Sequence, residues 1–126
     1  MLSRDLYNVV HIIGIILLMA SLGGVAMHAF IGGTEAQNTA RRLIVRLHAA
    51  GAFLILLGGF GMLARVGFEH GGNFPAWLWV KIFVWTALSA APLLPYKRPY
   101  MAKLLLLALP VFGGLAAYMG IFKPIS

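Results

Sequence analysis

Apolar residues run almost unbroken from position 6 to position 30, and no charge falls between Asp5 and Glu35. A bilayer core is about 30 Å thick, so at ~1.5 Å per residue a spanning helix needs roughly 20 mostly apolar residues. The first stretch meets that length, and it is too long for the apolar region of a signal peptide. Three more such stretches follow. The pattern predicts a second helix over 39–63, and no charge falls between Arg46 and Arg65. A third is predicted over 76–94, with Lys81 as its one charge and Pro75 placed to open it. A fourth is predicted over 100–121, with Pro110 inside it. Neighbouring helices in a membrane accommodate such a proline.

Polar breaks separate the four stretches. They are Gly32-Gly33-Thr34 with the residues after it, the glycine-rich 67–73, and the basic turn Pro95-Tyr96-Lys97-Arg98-Pro99. Short connections make sequence neighbours pack antiparallel. The expected fold is therefore all-α: an integral membrane, up-down four-helix bundle, with residues 1–126 forming a single transmembrane domain. Small residues mark the expected packing faces. On the second helix His48, Gly51, Ile55, Gly58, Gly59 and Met62 share one stripe. Gly14, Ser21, Gly23 and Gly24 on the first helix, and Gly113 and Gly114 on the fourth, allow close approach.

Composition agrees with this pattern. Hydrophobic residues make up 61% of the chain, charged residues 10%, and mean hydropathy is +0.91, too little polar surface for a soluble domain. The formal charge of +7 suggests a nucleic-acid partner at first sight. The basic residues sit at helix ends instead, where they anchor helices and set orientation, so no nucleic acid is expected. The N-terminal side holds Arg4, Arg65 and Lys123; the opposite side holds Arg41, Arg42, Arg46, Lys97, Arg98 and Lys103. The more basic side is expected in the cytoplasm, with both termini outside. Trp77 and Trp79 suit the aromatic belt of one interface, and Tyr96 and Tyr100 that of the other. The absence of cysteine excludes disulfides, thiolate-held iron–sulfur clusters and covalent c-type haem. The three acids all lie outside the predicted spans, so hydrolytic and transport chemistry built on membrane carboxylates is disfavoured.

Five polar residues stand out: His11, His28, His48, His70 and Lys81. Ionisable groups in a span usually face a bundle interior and a partner. His11 and Lys81 each lie about 8 Å inside the N-terminal side, so they meet if the first and third helices are close, with His70 in the loop above them. His28 and His48 belong to the opposite leaflet. His11 and His28 are about 25 Å apart along one helix and cannot share a metal ion. Neutral imidazoles hold haem iron in helical bundles. The candidate metal ligands are therefore His11, His48 and His28, paired as His28 with His48 or as His11 with Lys81 or His70. Lys81 suits a carboxylate partner such as a haem propionate.

These residues resemble known families. Leu6-Tyr7-Asn8-Val9-Val10-His11-Ile12-Ile13 is similar to the opening of the HemJ-type protoporphyrinogen oxidases. Arg41-Arg42-Leu43, Trp77-Leu78-Trp79-Val80-Lys81 and Lys123-Pro124 resemble later motifs of the same proteins. The layout also resembles the SirB family of four-helix membrane proteins, in which a histidine opens the second helix, here His48. The chain departs from both: Gly24-Val25-Ala26-Met27-His28 replaces the HemJ-type Pro-Arg-Leu-Phe, and Ala49 follows His48 where SirB proteins place an aspartate. The HemJ-type resemblance implies a b-type haem, functional roles for His11 and Lys81, and a bacterial inner-membrane location. The expected function is haem b-binding redox chemistry in the membrane, a quinone-linked oxidoreductase acting on a porphyrinogen or within a respiratory complex. The alternative is a non-catalytic structural or assembly subunit of a larger membrane complex. A homodimer is an equally open expectation.

Overall fold

The computed structural model describes residues 3–65 and 76–122, and among these the secondary structure is helical throughout, without a strand. His70, Glu69, the glycine-rich 67–73, Pro75, Lys123 and Pro124 lie outside the described residues. The helix α1 spans Arg4–Phe30 and starts at Ser3, whose hydroxyl accepts the Leu6 N–H at 3.2 Å. It stops at Gly32, with φ of +93°, a left-handed conformation that favours glycine. The Gly33 N–H reaches back to the His28 carbonyl and the Gly32 N–H to that of Ala29, so two terminal carbonyls of α1 are satisfied. A single 3₁₀ turn at Glu35–Gln37 follows, and the Asn38 side chain accepts the Ala40 N–H just before α2, Arg41–Arg65.

Glycines set the distance between α1 and α2. A β-carbon on Gly51 would stand 2.7 Å from the Leu18 nitrogen, and one on Gly58 would stand 2.5 Å from the His11 nitrogen. Both obstacles are backbone, so the two helices approach this closely only because these positions lack a side chain. The pairing of His11 with Gly58 and of Leu18 with Gly51 makes the helices antiparallel.

The third helix is shorter than its apolar run. The helix α3 spans Ala76–Ala90, a 3₁₀ turn covers Ala91–Leu93, and α4 is a single turn at Leu94–Lys97. Two prolines explain the break. Pro92 and Pro95 lack N–H groups, so the carbonyls of Leu88 and Ala91 lose the donors that an α-helix would give them. The Leu94 N–H bonds the Ala91 carbonyl in the tighter 3₁₀ pattern instead. Another 3₁₀ turn, Pro99–Met101, leads into α5, Ala102–Phe122, which continues through Pro110. The predicted basic turn at 95–99 is thus partly helical. The helix α5 packs on α1 and on α3.

The core joins α1, α2, α3 and α5. Leu18, Leu22 and Ala26 meet Ala52, Val84, Leu88, Leu105 and Leu109 there. The opposite faces are also apolar: Ile16, Phe53, Phe83, Leu107 and Val111 are among the large side chains left exposed. The segments Arg4–Phe30, Arg41–Leu63 and Pro99–Phe122 are long and apolar enough to cross a membrane, whereas α3 is shorter.

Candidate functional site

Two cavities hold most of the polar side chains singled out in the sequence. The first, of about 170 Å³, lies where α1, α2, α3 and α5 converge toward the N-terminal end. His11 and Lys81 both line it, with Ile55, Trp77, Trp85 and Gly120 around them. The depth estimate placed these two residues at one level; the tertiary packing brings them to one space. The Nδ1–H of His11 donates to the Ile55 carbonyl at 2.8 Å, which leaves Nε2 as the nitrogen with a lone pair. Metal-binding histidines are oriented in this way, with one ring nitrogen held by a carbonyl and the other available. The Lys81 ammonium lies over α5, where a β-carbon on Gly120 would stand 2.9 Å from Nζ. Trp85 fixes the wall by donating its indole N–H to the Ala52 carbonyl at 3.0 Å.

The second cavity, of about 350 Å³, lies at the other end, between α1, α2 and the stretch from Ser89 to Tyr96. His48 lines it and is buried. Its Nε2–H donates to the Leu88 carbonyl at 3.1 Å, the group that Pro92 deprives of a helical donor. His48 therefore repairs a proline break in the neighbouring helix. In the neutral ring the remaining lone pair is on Nδ1.

His28 has a different environment. Its ring packs edge-on against Tyr96, with centroids 5.7 Å apart and planes at 74°, and Nδ1 meets the Tyr96 hydroxyl at 2.7 Å. The Asn38 amide donates to the same hydroxyl at 3.0 Å, so the Tyr96 oxygen joins His28 and Asn38. These bonds tie the end of α1 and the residues before α2 to α4. His28 reaches the second cavity only through Tyr96, which is among its lining residues. Glu35 pairs with Arg41 at 3.0 Å at the mouth of that cavity, with both side chains more than half exposed.

Among the described residues, no three histidine or acidic side chains gather as a metal cage. A site using one or two imidazoles is the arrangement these positions allow. Sequence reasoning did not single out Asn38, Trp85, Ser89 or Gly120, and it took Tyr96 only as an interfacial anchor. A usable signal existed for one feature: Pro92 lies four residues after Leu88 and so announces an orphaned carbonyl, though not its donor. Comparison of the chain with protein-family models, with characterised proteins and with solved structures gives no match.

Proposed function

We propose that this chain is an integral membrane four-helix bundle that binds haem b and passes electrons to quinone, with His11 and Lys81 as its working pair. The observation that carries this reading is the first cavity. There an imidazole fixed through Nδ1 and an ammonium group share one space between apolar helices. His11 would bind iron through Nε2, and its bond to the Ile55 carbonyl would hold the ring in place and raise its basicity. Lys81 would pair with a propionate, or with a carboxylate of a porphyrinogen substrate. The volume of about 170 Å³ falls below the roughly 300–1,000 Å³ of ordinary ligand pockets. The cavity is thus smaller than a whole porphyrin, and His11 and Lys81 would hold only the part of the group that reaches them. Haem supplies one-electron chemistry when bound; the chain orients it and controls its exposure. The long apolar helices and their exposed apolar faces support the membrane part of the proposal. The basic side, and hence the cytoplasmic one, would be the end that carries Arg41, Arg42 and Arg46.

The test is an absorption spectrum of detergent-purified protein, oxidised and then reduced. A Soret band with sharp reduced bands is expected, lost in His11→Ala and retained in His48→Leu. Protein that stays colourless when haem is supplied during expression refutes the proposal. A second reading has a specific observation behind it. His48 and His28 both serve packing bonds, as expected of a non-catalytic subunit of a larger membrane complex. Colourless protein that co-purifies stably with larger membrane subunits would favour that reading.

A further inference from the structure

The second cavity contains a polar atom that the fold does not use. Ser89 Oγ is buried, lines the cavity and finds no hydrogen-bond partner among the described residues. Serines in helices commonly bond the carbonyl four residues back, as Ser21 does with Leu17 at 2.7 Å. Leaving a buried hydroxyl unpaired is costly, so a ligand is a natural partner for it. His48, which lines the same cavity, has its Nε2–H committed to Leu88 and carries its lone pair on Nδ1. The lining thus includes one uncommitted donor, Ser89 Oγ–H, and one acceptor nitrogen, His48 Nδ1, beside Asn38 and Tyr96, which bond each other. Val25, Ile44, Ala49 and Pro92 supply apolar walls. At the mouth, Glu35 neutralises Arg41, which disfavours an ionic ligand. The volume of about 350 Å³ lies in the range of small-molecule sites, and Arg41 and His48 are about 10 Å apart along α2.

We infer that this cavity binds the ring of a quinone, with Ser89 donating to a carbonyl oxygen of the oxidised form and His48 Nδ1 accepting from a hydroxyl of the reduced form. A neutral, flat ring that alternates between accepting and donating matches a slot whose charges are paired and whose uncommitted Ser89 hydroxyl and His48 Nδ1 are one donor and one acceptor. This assignment rests on the redox reading above and gives its electron acceptor a place. His48 lies about 10 Å along α2 from Ile55, the residue that holds His11.

The test is thermal unfolding of the protein in phosphatidylcholine nanodiscs titrated with a short-chain benzoquinone. Wild type should show a saturable rise in unfolding temperature. Ser89→Ala should raise the half-saturating concentration about tenfold, as expected for loss of one buried hydrogen bond. Ala49→Leu, which fills the slot from an exposed helix position, should abolish the rise while leaving the helical circular dichroism intact. Both variants should keep any Soret band, and His11→Ala should keep the quinone response, so failure of the haem proposal and failure of this one are separable. No saturable rise in wild type overturns the assignment. A rise that neither variant alters also overturns it, because the quinone then sits elsewhere and Ser89 serves only a water.

Discussion

The bond from His48 to the Leu88 carbonyl allows the interior to be tested by a double substitution. His48→Leu removes the donor at nearly constant size and leaves a buried carbonyl that Pro92 cannot satisfy. An orphaned buried acceptor costs about 1–3 kcal/mol in general. Interhelical bonds measured in membranes average about 0.6 kcal/mol and reach ~1.7, so a loss of roughly 1–1.5 kcal/mol is the expected value here. Pro92→Ala supplies the N–H that an α-helix would donate to Leu88. In that background His48 becomes redundant, and His48→Leu should cost about 0.5 kcal/mol or less. The measurement is reversible unfolding in mixed micelles, followed by far-ultraviolet circular dichroism, for the four members of the cycle. Equal costs in the two backgrounds would show that His48 does not compensate for the proline, and the reasoning would fail. If His48→Leu instead removes haem along with stability, His48 is a ligand and not a packing group.

Other substitutions probe the remaining parts. Gly58→Ala places a β-carbon 2.5 Å from the His11 nitrogen and 2.6 Å from the Tyr7 carbonyl oxygen, so α1 and α2 must part. A loss of about 1–3 kcal/mol is expected in the same unfolding assay, and on the haem proposal haem retention should weaken too, because His11 moves. On the haem proposal, Lys81→Met should weaken haem binding roughly tenfold or more, read by titration of apoprotein, since a charge-assisted bond is worth about 1.5–3 kcal/mol. Tyr96→Phe removes the hydroxyl shared by His28 and Asn38 and should cost about 1–2 kcal/mol, with faster proteolysis between α1 and α2. Glu35→Gln, at a pair that is more than half exposed, should change stability by less than about 0.5 kcal/mol, an effect that salt erases.

Much of the secondary structure was legible along the chain, because apolar run length and its interruptions are one-dimensional properties. The ends of α1 and α2 fell within two residues of the expected positions, and Gly32 did end α1. The stripe on α2 from His48 through Gly51 and Gly58 is the face that packs, since only small residues permit the contact with α1. The third segment was read as one helix because it is apolar to Leu94. The spacing of Pro92 and Pro95 overrides that pattern by withdrawing backbone donors. Gly23, Gly24 and Gly114 were expected to mark packing faces, yet among the described residues nothing lies within 4 Å of where a β-carbon on any of them would stand. Helices that are apolar all round carry no moment that tells which face turns inward.

Side-chain partners were the part that only tertiary structure decided. Spacing along a helix limits which residues share a depth, and it placed His11 level with Lys81. It does not say which helices are neighbours, so the meeting of these two in one cavity awaited the packing. His28 and His48 occupy one end of the molecule, as their positions required. One turns to Tyr96 and the other to Leu88, because each ring nitrogen takes the partner that the adjoining helix presents. Sequence alone determined that these helices are apolar and where α1 and α2 stop; the packing of their backbones determined which few polar atoms face each other and which, like Ser89 Oγ, are left facing a cavity.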